Sequence, residues 1–187
     1  MKKATVAYHE AGHAVVGWRL RIPLRRAGVT IVPDGDAAGS CSHRKIVGHD
    51  IEWDSSDRIV FRAERLAQIC FAGGIAQRRY CPQSVRRHHA DSDRSEAIDV
   101  MIHLASGREL EAWLKLLYIR TENMLANQDV WRAVQRLAEA LVERKTIRAK
   151  EATEIMYAGF SERLKGVLTP DGPFGGTAAG VKTKERK

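Results

Sequence analysis

The run His9-Glu10-Ala11-Gly12-His13 places two imidazoles and a carboxylate within five residues. On an α-helix, residues four apart are rotated by about 400°, so both rings leave the same face about one turn apart. Imidazoles placed in this way can approach one cation, and tetrahedral zinc takes such donors. Glu10 falls beside the pair, where it can reach a water on the metal without being a ligand. The chemistry this pattern supports is metal-assisted hydrolysis: zinc lowers the pKa of the water, and Glu10 takes its proton as the oxygen attacks a carbonyl. The alternative is a pair of structural histidines stacked on a half-buried helix face, with Glu10 as a solvated neighbour.

A catalytic zinc takes a third protein ligand as well as water. The metzincin continuation needs Gly at 16 and His at 19, and Val16 and Arg19 exclude it. Downstream candidates are Cys41, His43, His49, Glu64, His88, His89, Asp91 and Asp93, and spacing does not choose among them. Asp93 and Glu96 also have capping-box spacing, which would make Asp93 a helix cap. Cys41 has the alternative of a small buried hydrophobe.

These residues need elements to position them. Apolar spacing predicts a helix over 4–21 around the histidine pair, closed by Pro23, and then a β-branched strand over 27–33. A weaker strand covers 37–43, and 43–56 reads as loop. Helical periodicity returns over 57–80 despite Gly73-Gly74, a pair that costs stability unless another chain segment packs closely there. A polar loop over 78–89 leads to a helix over 92–105, followed by helices over 108–126, 128–144 and 149–165. The stripe Val134, Leu137, Ala138 and Leu141 is the clearest apolar face. The expected fold is α+β and mainly α, with a small sheet beside the histidine helix. Residues 1–165 form the domain, and 166–187 form a flexible Gly, Pro and Lys tail. In that tail, Gly175 to Thr183 imitates a phosphate-binding loop, but Val181 breaks the spacing and no strand precedes it.

A chain of 187 residues makes about one domain, with no room for a large ATPase motor as well. Three cysteines without paired spacing argue against a disulfide framework, and no apolar run of membrane-spanning length occurs. The expectation is a cytoplasmic protein that does not engage a membrane. The net charge of +8 gathers in two clusters, Arg19, Arg21, Arg25 and Arg26, and Arg78, Arg79, Arg86 and Arg87. No interleaved run of aromatics accompanies them for base stacking, with Tyr80 beside the second, so nucleic acid is disfavoured against a solvated face or an acidic protein partner. Trp18, Trp53, Trp113 and Trp131 read as packing anchors.

Ala7-Tyr8-His9-Glu10-Ala11-Gly12-His13-Ala14-Val15-Val16-Gly17, followed by Val29-Thr30-Ile31-Val32-Pro33, resembles the peptidase domain of the FtsH-type ATP-dependent zinc metalloproteases. Phe71-Ala72-Gly73-Gly74-Ile75-Ala76 is similar to that family's Gly-Gly-Arg-Ala-Ala segment. The stretch 89–97 resembles its Gly-Ala-x-Asn-Asp segment, and 137–147 follows its later pattern. The resemblance implies Zn²⁺ held by His9, His13 and Asp93, with Glu10 as general base and His88, His89 and Asp91 as competitors for the third place. It implies an endopeptidase of unfolded or extended polypeptide, which would add as a strand to 37–41 or 29–32. It also implies a homo-oligomer and a separate ATPase that delivers substrate. The departures are Gln77-Arg78 where the family has two acidic residues, and Ser92 in place of Asn. Two other functions compete: a proteolytically silent zinc-bound interaction module, and a small amide hydrolase of deformylase type with Cys41 on the metal.

Overall fold

The structure, a computed structural model, describes residues 3–35, 38–43, 56–84 and 87–160. The first helix, α1 (Lys3–Arg19), is buried along nearly its whole length from Thr5 to Gly17. Its small residues allow this. A Cβ at Gly12 would stand 2.6 Å from Ala76 Cβ and 2.7 Å from Ala72 O, so α1 lies almost backbone to backbone on α2 (Asp57–Tyr80). A helix that is apolar on most sides is a core helix, and α1 is the one that carries the His-Glu-His run.

After α1 the chain forms β1 (Leu24–Thr30) and β2 (Ser40–His43). The first strand begins three residues ahead of the expected range, taking in Arg25 and Arg26 on an exposed stretch, and its register with β2 shifts between Leu24 and Val29. A third strand, β3 (Thr146–Ile147), completes an antiparallel sheet in the order β2-β1-β3. Val29 pairs with both Cys41 and Ile147, and Thr30 with both Ser40 and Thr146. This corrects one expectation: the stretch 29–32 has no open edge for an incoming strand at Val29 and Thr30, because β1 is the middle strand. Beyond it, Ile31 N–H donates to Lys145 O. The outer edge of β2 has no partner among the described residues.

The 3₁₀ turn Pro82–Ser84 then leads to α3 (Arg87–Met101), which starts ahead of the expected position 92 and stops short of 105. Asp93 therefore sits within the second turn of a helix, and the capping-box reading fails. Next are α4 (Gly107–Ala126) and α5 (Gln128–Arg144). Asn127 caps α5, its side-chain oxygen accepting from the N–H groups of Asp129 and Val130. The stripe Val134, Leu137, Ala138 and Leu141 is fully buried. The last helix described is α6 (Ala149–Ala158), shorter than the expected 149–165. The stretch 44–55, expected as loop and holding His49 and Trp53, and the stretch 166–187 with its phosphate-loop imitation lie outside the described residues. The side chains of His88, His89 and Asp91 lie outside them too.

Two apolar clusters organise the interior. The larger joins α1, the sheet, part of α2, α5 and α6, around Val15, Val134, Leu137, Leu141 and Met156. The smaller joins the rest of α2 to α3 and α4 through Ala63, Ala67, Ala97, Met101 and Leu117. The fold is thus mainly helical with one small sheet, as expected. No described helix is long and apolar enough to cross a membrane.

Candidate metal centre

His9 and His13 point from α1 toward α2 and α3, and their Nε2 atoms are 3.0 Å apart. Asp93 Oδ2 comes from α3 to within 3.3 Å of His9 Nε2 and 3.5 Å of His13 Nε2. Among the described residues, this trio is the group of His, Cys, Asp and Glu side chains whose donor atoms converge as metal ligands do.

The outer nitrogens decide what the inner ones offer. Ile69 O lies 2.7 Å from His13 Nδ1. A carbonyl only accepts, so Nδ1 carries the proton and Nε2 presents a lone pair. Gln77 Nε2 donates to Ser84 O at 3.2 Å, which turns Gln77 Oε1 toward His9 Nδ1 at 3.0 Å. His9 is thereby protonated at Nδ1 as well, and bare at Nε2. Two lone pairs and a carboxylate oxygen now face one point, and Asp93 Oδ2 is buried there without a hydrogen bond. At 3.0 Å the two Nε2 atoms need a proton or a metal ion between them.

The electrostatics agree. Burial works against a charged His13 ring, but Asp93 and then Glu10 outweigh it and push its pKa up to about 9, so that without a metal a proton takes the place at Nε2 that a metal ion would take from it. Burial likewise raises the Asp93 carboxyl, but His13 and His9 hold it well below the usual carboxylate range. The place attracts positive charge. It is also shaped for the rings: a Cβ on Gly73 would stand 2.2 Å from His13 Nε2 and 2.7 Å from His9 Nε2. A glycine in mid-helix, costly by propensity, is what lets α2 pass directly behind the two imidazoles. The donor set of two imidazole lone pairs and one carboxylate fits zinc with room for a fourth ligand.

Glu10 lies beside the trio and is 6% exposed. Burial raises its pKa, against the pull of His13 and His9. Its carboxylate abuts Gly39, where a Cβ would stand 2.9 Å from Glu10 Oε1. The segment entering β2 therefore borders Glu10. Burial raises the Cys41 thiol well above its ordinary pKa, with the Glu10 charge adding.

The other candidates are elsewhere. Cys41 Sγ is 3.2 Å from His43 Nε2 and belongs to no ligand cluster among the described residues. His43 leans on the carbonyl of His13 at 3.2 Å, and burial lowers its pKa to about 4, with His13 adding to the effect. Glu64 accepts the Trp113 indole N–H at 2.8 Å and ties α2 to α4. The described tryptophans are packing anchors as expected, with Trp18 against Phe160, Trp131 against Tyr8 and Trp113 on the smaller apolar cluster. The second arginine cluster is partly structural rather than a free solvated face. Arg78 donates to the Tyr118 hydroxyl, while Arg79 donates to Leu125 O at the end of α4 and covers the Trp131 ring. Sequence reasoning overlooked Ile69 and Gln77 as partners of the rings. The backbone carbonyl leaves no sequence signal, but Gln77 stands four residues after Gly73, on the same face of α2.

Residues 1–49 match the model of Peptidase family M41. A stretch of 72 residues, 38% of this chain, is 40% identical to an ATP-dependent zinc metalloprotease FtsH of Mycoplasma mobile and covers 9% of that protein. A stretch of 76 residues, 40% of this chain, is 53% identical to the FtsH of Mesomycoplasma conjunctivae, again over 9% of its length. A shorter one, 38 residues or 20% of the chain, is 58% identical to the mitochondrial ATP-dependent zinc metalloprotease FTSH 3 of Arabidopsis thaliana, 5% of which it covers. The chain thus matches less than a tenth of the length of each of these relatives. Over these partial stretches the chain resembles FtsH-type zinc metalloproteases, and the residues that match the peptidase family M41 model, 1–49, include the helix bearing both histidines.

Proposed function

We propose that this chain is a zinc-dependent endopeptidase of unfolded or extended polypeptide. His9, His13 and Asp93 hold the metal, and Glu10 is the general base. The observation that carries the reading is the convergence of two imidazole Nε2 atoms and a buried carboxylate oxygen beside a buried glutamate. A zinc ion bound there supplies a Lewis acid that acidifies water and polarises a carbonyl. Glu10 accepts the proton of the attacking water and passes it to the departing amide nitrogen. Its raised pKa suits a group that must both take and give a proton near neutrality. The outer edge of β2, unpaired among the described residues and preceded by Gly39 against Glu10, offers main-chain hydrogen bonds to an extended substrate and reads little of its sequence. The relatives are named as ATP-dependent. For this chain, unfolding work would come from an ATPase outside these 187 residues, and a ring of several copies would suit such delivery.

Zinc-loaded protein is incubated with unfolded casein beside Glu10→Gln. The expected result is cleavage by the parent and a loss of about 10²–10⁴-fold in the variant, with zinc content equal in both. Zinc retained by both proteins with cleavage by neither would overturn the enzyme reading. Zinc content unchanged in Asp93→Ala would remove Asp93 from the ligand set.

A further inference from the structure

We propose that Gln77 is a positioning residue for the metal centre, fixing the tautomer of His9 and tying that ring to the turn that launches the Asp93 helix. The inference rests on the zinc reading and adds to it a residue that does not touch the metal. Gln77 is 2% exposed, yet both ends of its amide are engaged. Oε1 accepts from His9 Nδ1–H at 3.0 Å. Nε2 donates to Ser84 O at 3.2 Å and approaches Ser84 Oγ at 3.4 Å, while that hydroxyl donates to Cys81 O at 2.7 Å. The Ser84 carbonyl requires a donor from the amide, which leaves its oxygen to face His9 Nδ1 and selects the ring form that donates there.

This accounts for glutamine where the resembling family has an acidic residue. A carboxylate at 77 would still accept from His9, but would set one oxygen against the lone pairs of Ser84 O. Glutamine instead joins the two halves of the ligand set. His9 belongs to α1, whereas Ser84 ends the turn from which α3 departs with Asp93. The amide therefore sets the ring's orientation and the position of the turn together, as outer partners of metal-bound histidines do.

The test uses the full chain, zinc titration against a competing chelator, and long-range ¹⁵N–¹H correlation of the histidine rings in the zinc-free protein. Parent protein is expected to show His9 protonated at Nδ1; His9 protonated at Nε2 would overturn the proposal whatever any variant does. Gln77→Met keeps the shape and removes both hydrogen bonds. It is expected to weaken zinc binding about 10–100-fold and to mix the His9 tautomers. Gln77→Glu restores the acceptor for His9 and should recover the Nδ1–H form and a part of the affinity. Parent-like tautomer and affinity in Gln77→Met overturn this proposal alone. Failure of Gln77→Glu to recover either readout does so as well. A parent protein that takes up no zinc overturns the metal reading, and this one with it.

Discussion

Gly73 and Gly74 are neighbours in α2, and the structure assigns them opposite responses to the same methyl group. At Gly73 the added carbon would stand 2.2 Å from His13 Nε2. An ordinary contact needs about 3.5 Å, so the ring or the helix must retreat by about 1.3 Å. Metal–ligand distances tolerate only about 0.2 Å, so Gly73→Ala is expected to weaken zinc binding at least about 100-fold. In the metal-free protein, the gain of about 1 kcal/mol in helix propensity is set against about 1–3 kcal/mol of overpacking, a result near zero or destabilising. At Gly74 a Cβ meets nothing within 4 Å, so only the propensity gain remains. Gly74→Ala should raise the melting temperature by about 2–4 °C, as about 1 kcal/mol does for a chain of this size. Thermal melts with and without zinc check both. Zinc at about 100 times its Kd should add about 2.7 kcal/mol of stability to the parent and to Gly74→Ala, and almost none to Gly73→Ala. An undiminished zinc response in Gly73→Ala, or a lowered melting temperature in Gly74→Ala, would refute the placement of α2 behind the rings.

Gly39→Ala should lower the turnover number while leaving zinc content unchanged, because the atoms nearest the new carbon are Thr30 O and Glu10 Oε1, at 2.8 and 2.9 Å, rather than those of a proposed ligand; casein cleavage beside metal analysis reads this. Asn127→Ala should cost about 1 kcal/mol in urea denaturation through loss of the α5 cap, with the zinc midpoint unmoved. Leu137→Ala, in the fully buried stripe of α5, should cost about 2–5 kcal/mol by the same measurement.

The parts of the centre encoded by spacing along one helix were legible in the sequence: His9, Glu10 and His13 lie on α1 because a 3.6-residue period places them there. Gly73-Gly74 was legible as a warning, since so costly a pair implies a close neighbour, but not which neighbour or which of the two glycines mattered. Asp93 was harder. Its local pattern suits a helix cap, and only the start of α3 at Arg87 moves it into a second turn facing the histidines. The strand β3 is two residues long and has no period to read; it exists because Thr146 and Ile147 pair across β1. Arginine at 79 looked like solvated charge, because nothing in its neighbours announces the Leu125 carbonyl or the Trp131 ring brought up by α4 and α5.

The two apolar clusters give the proposed ligand set a mechanical meaning. His9 and His13 belong to a helix sealed in the larger cluster, whereas Asp93 belongs to a helix whose buried residues, Ala97 and Met101, lie in the smaller one. Amide hydrogens of α1 should therefore exchange only with global unfolding, while those of α3 can exchange through a partial opening that detaches the smaller cluster. A bound metal would act as a rivet across that seam. It should slow exchange in α3 far more than in α1, and release of the metal would then follow the rhythm of α3 lifting away, with both histidines still in place.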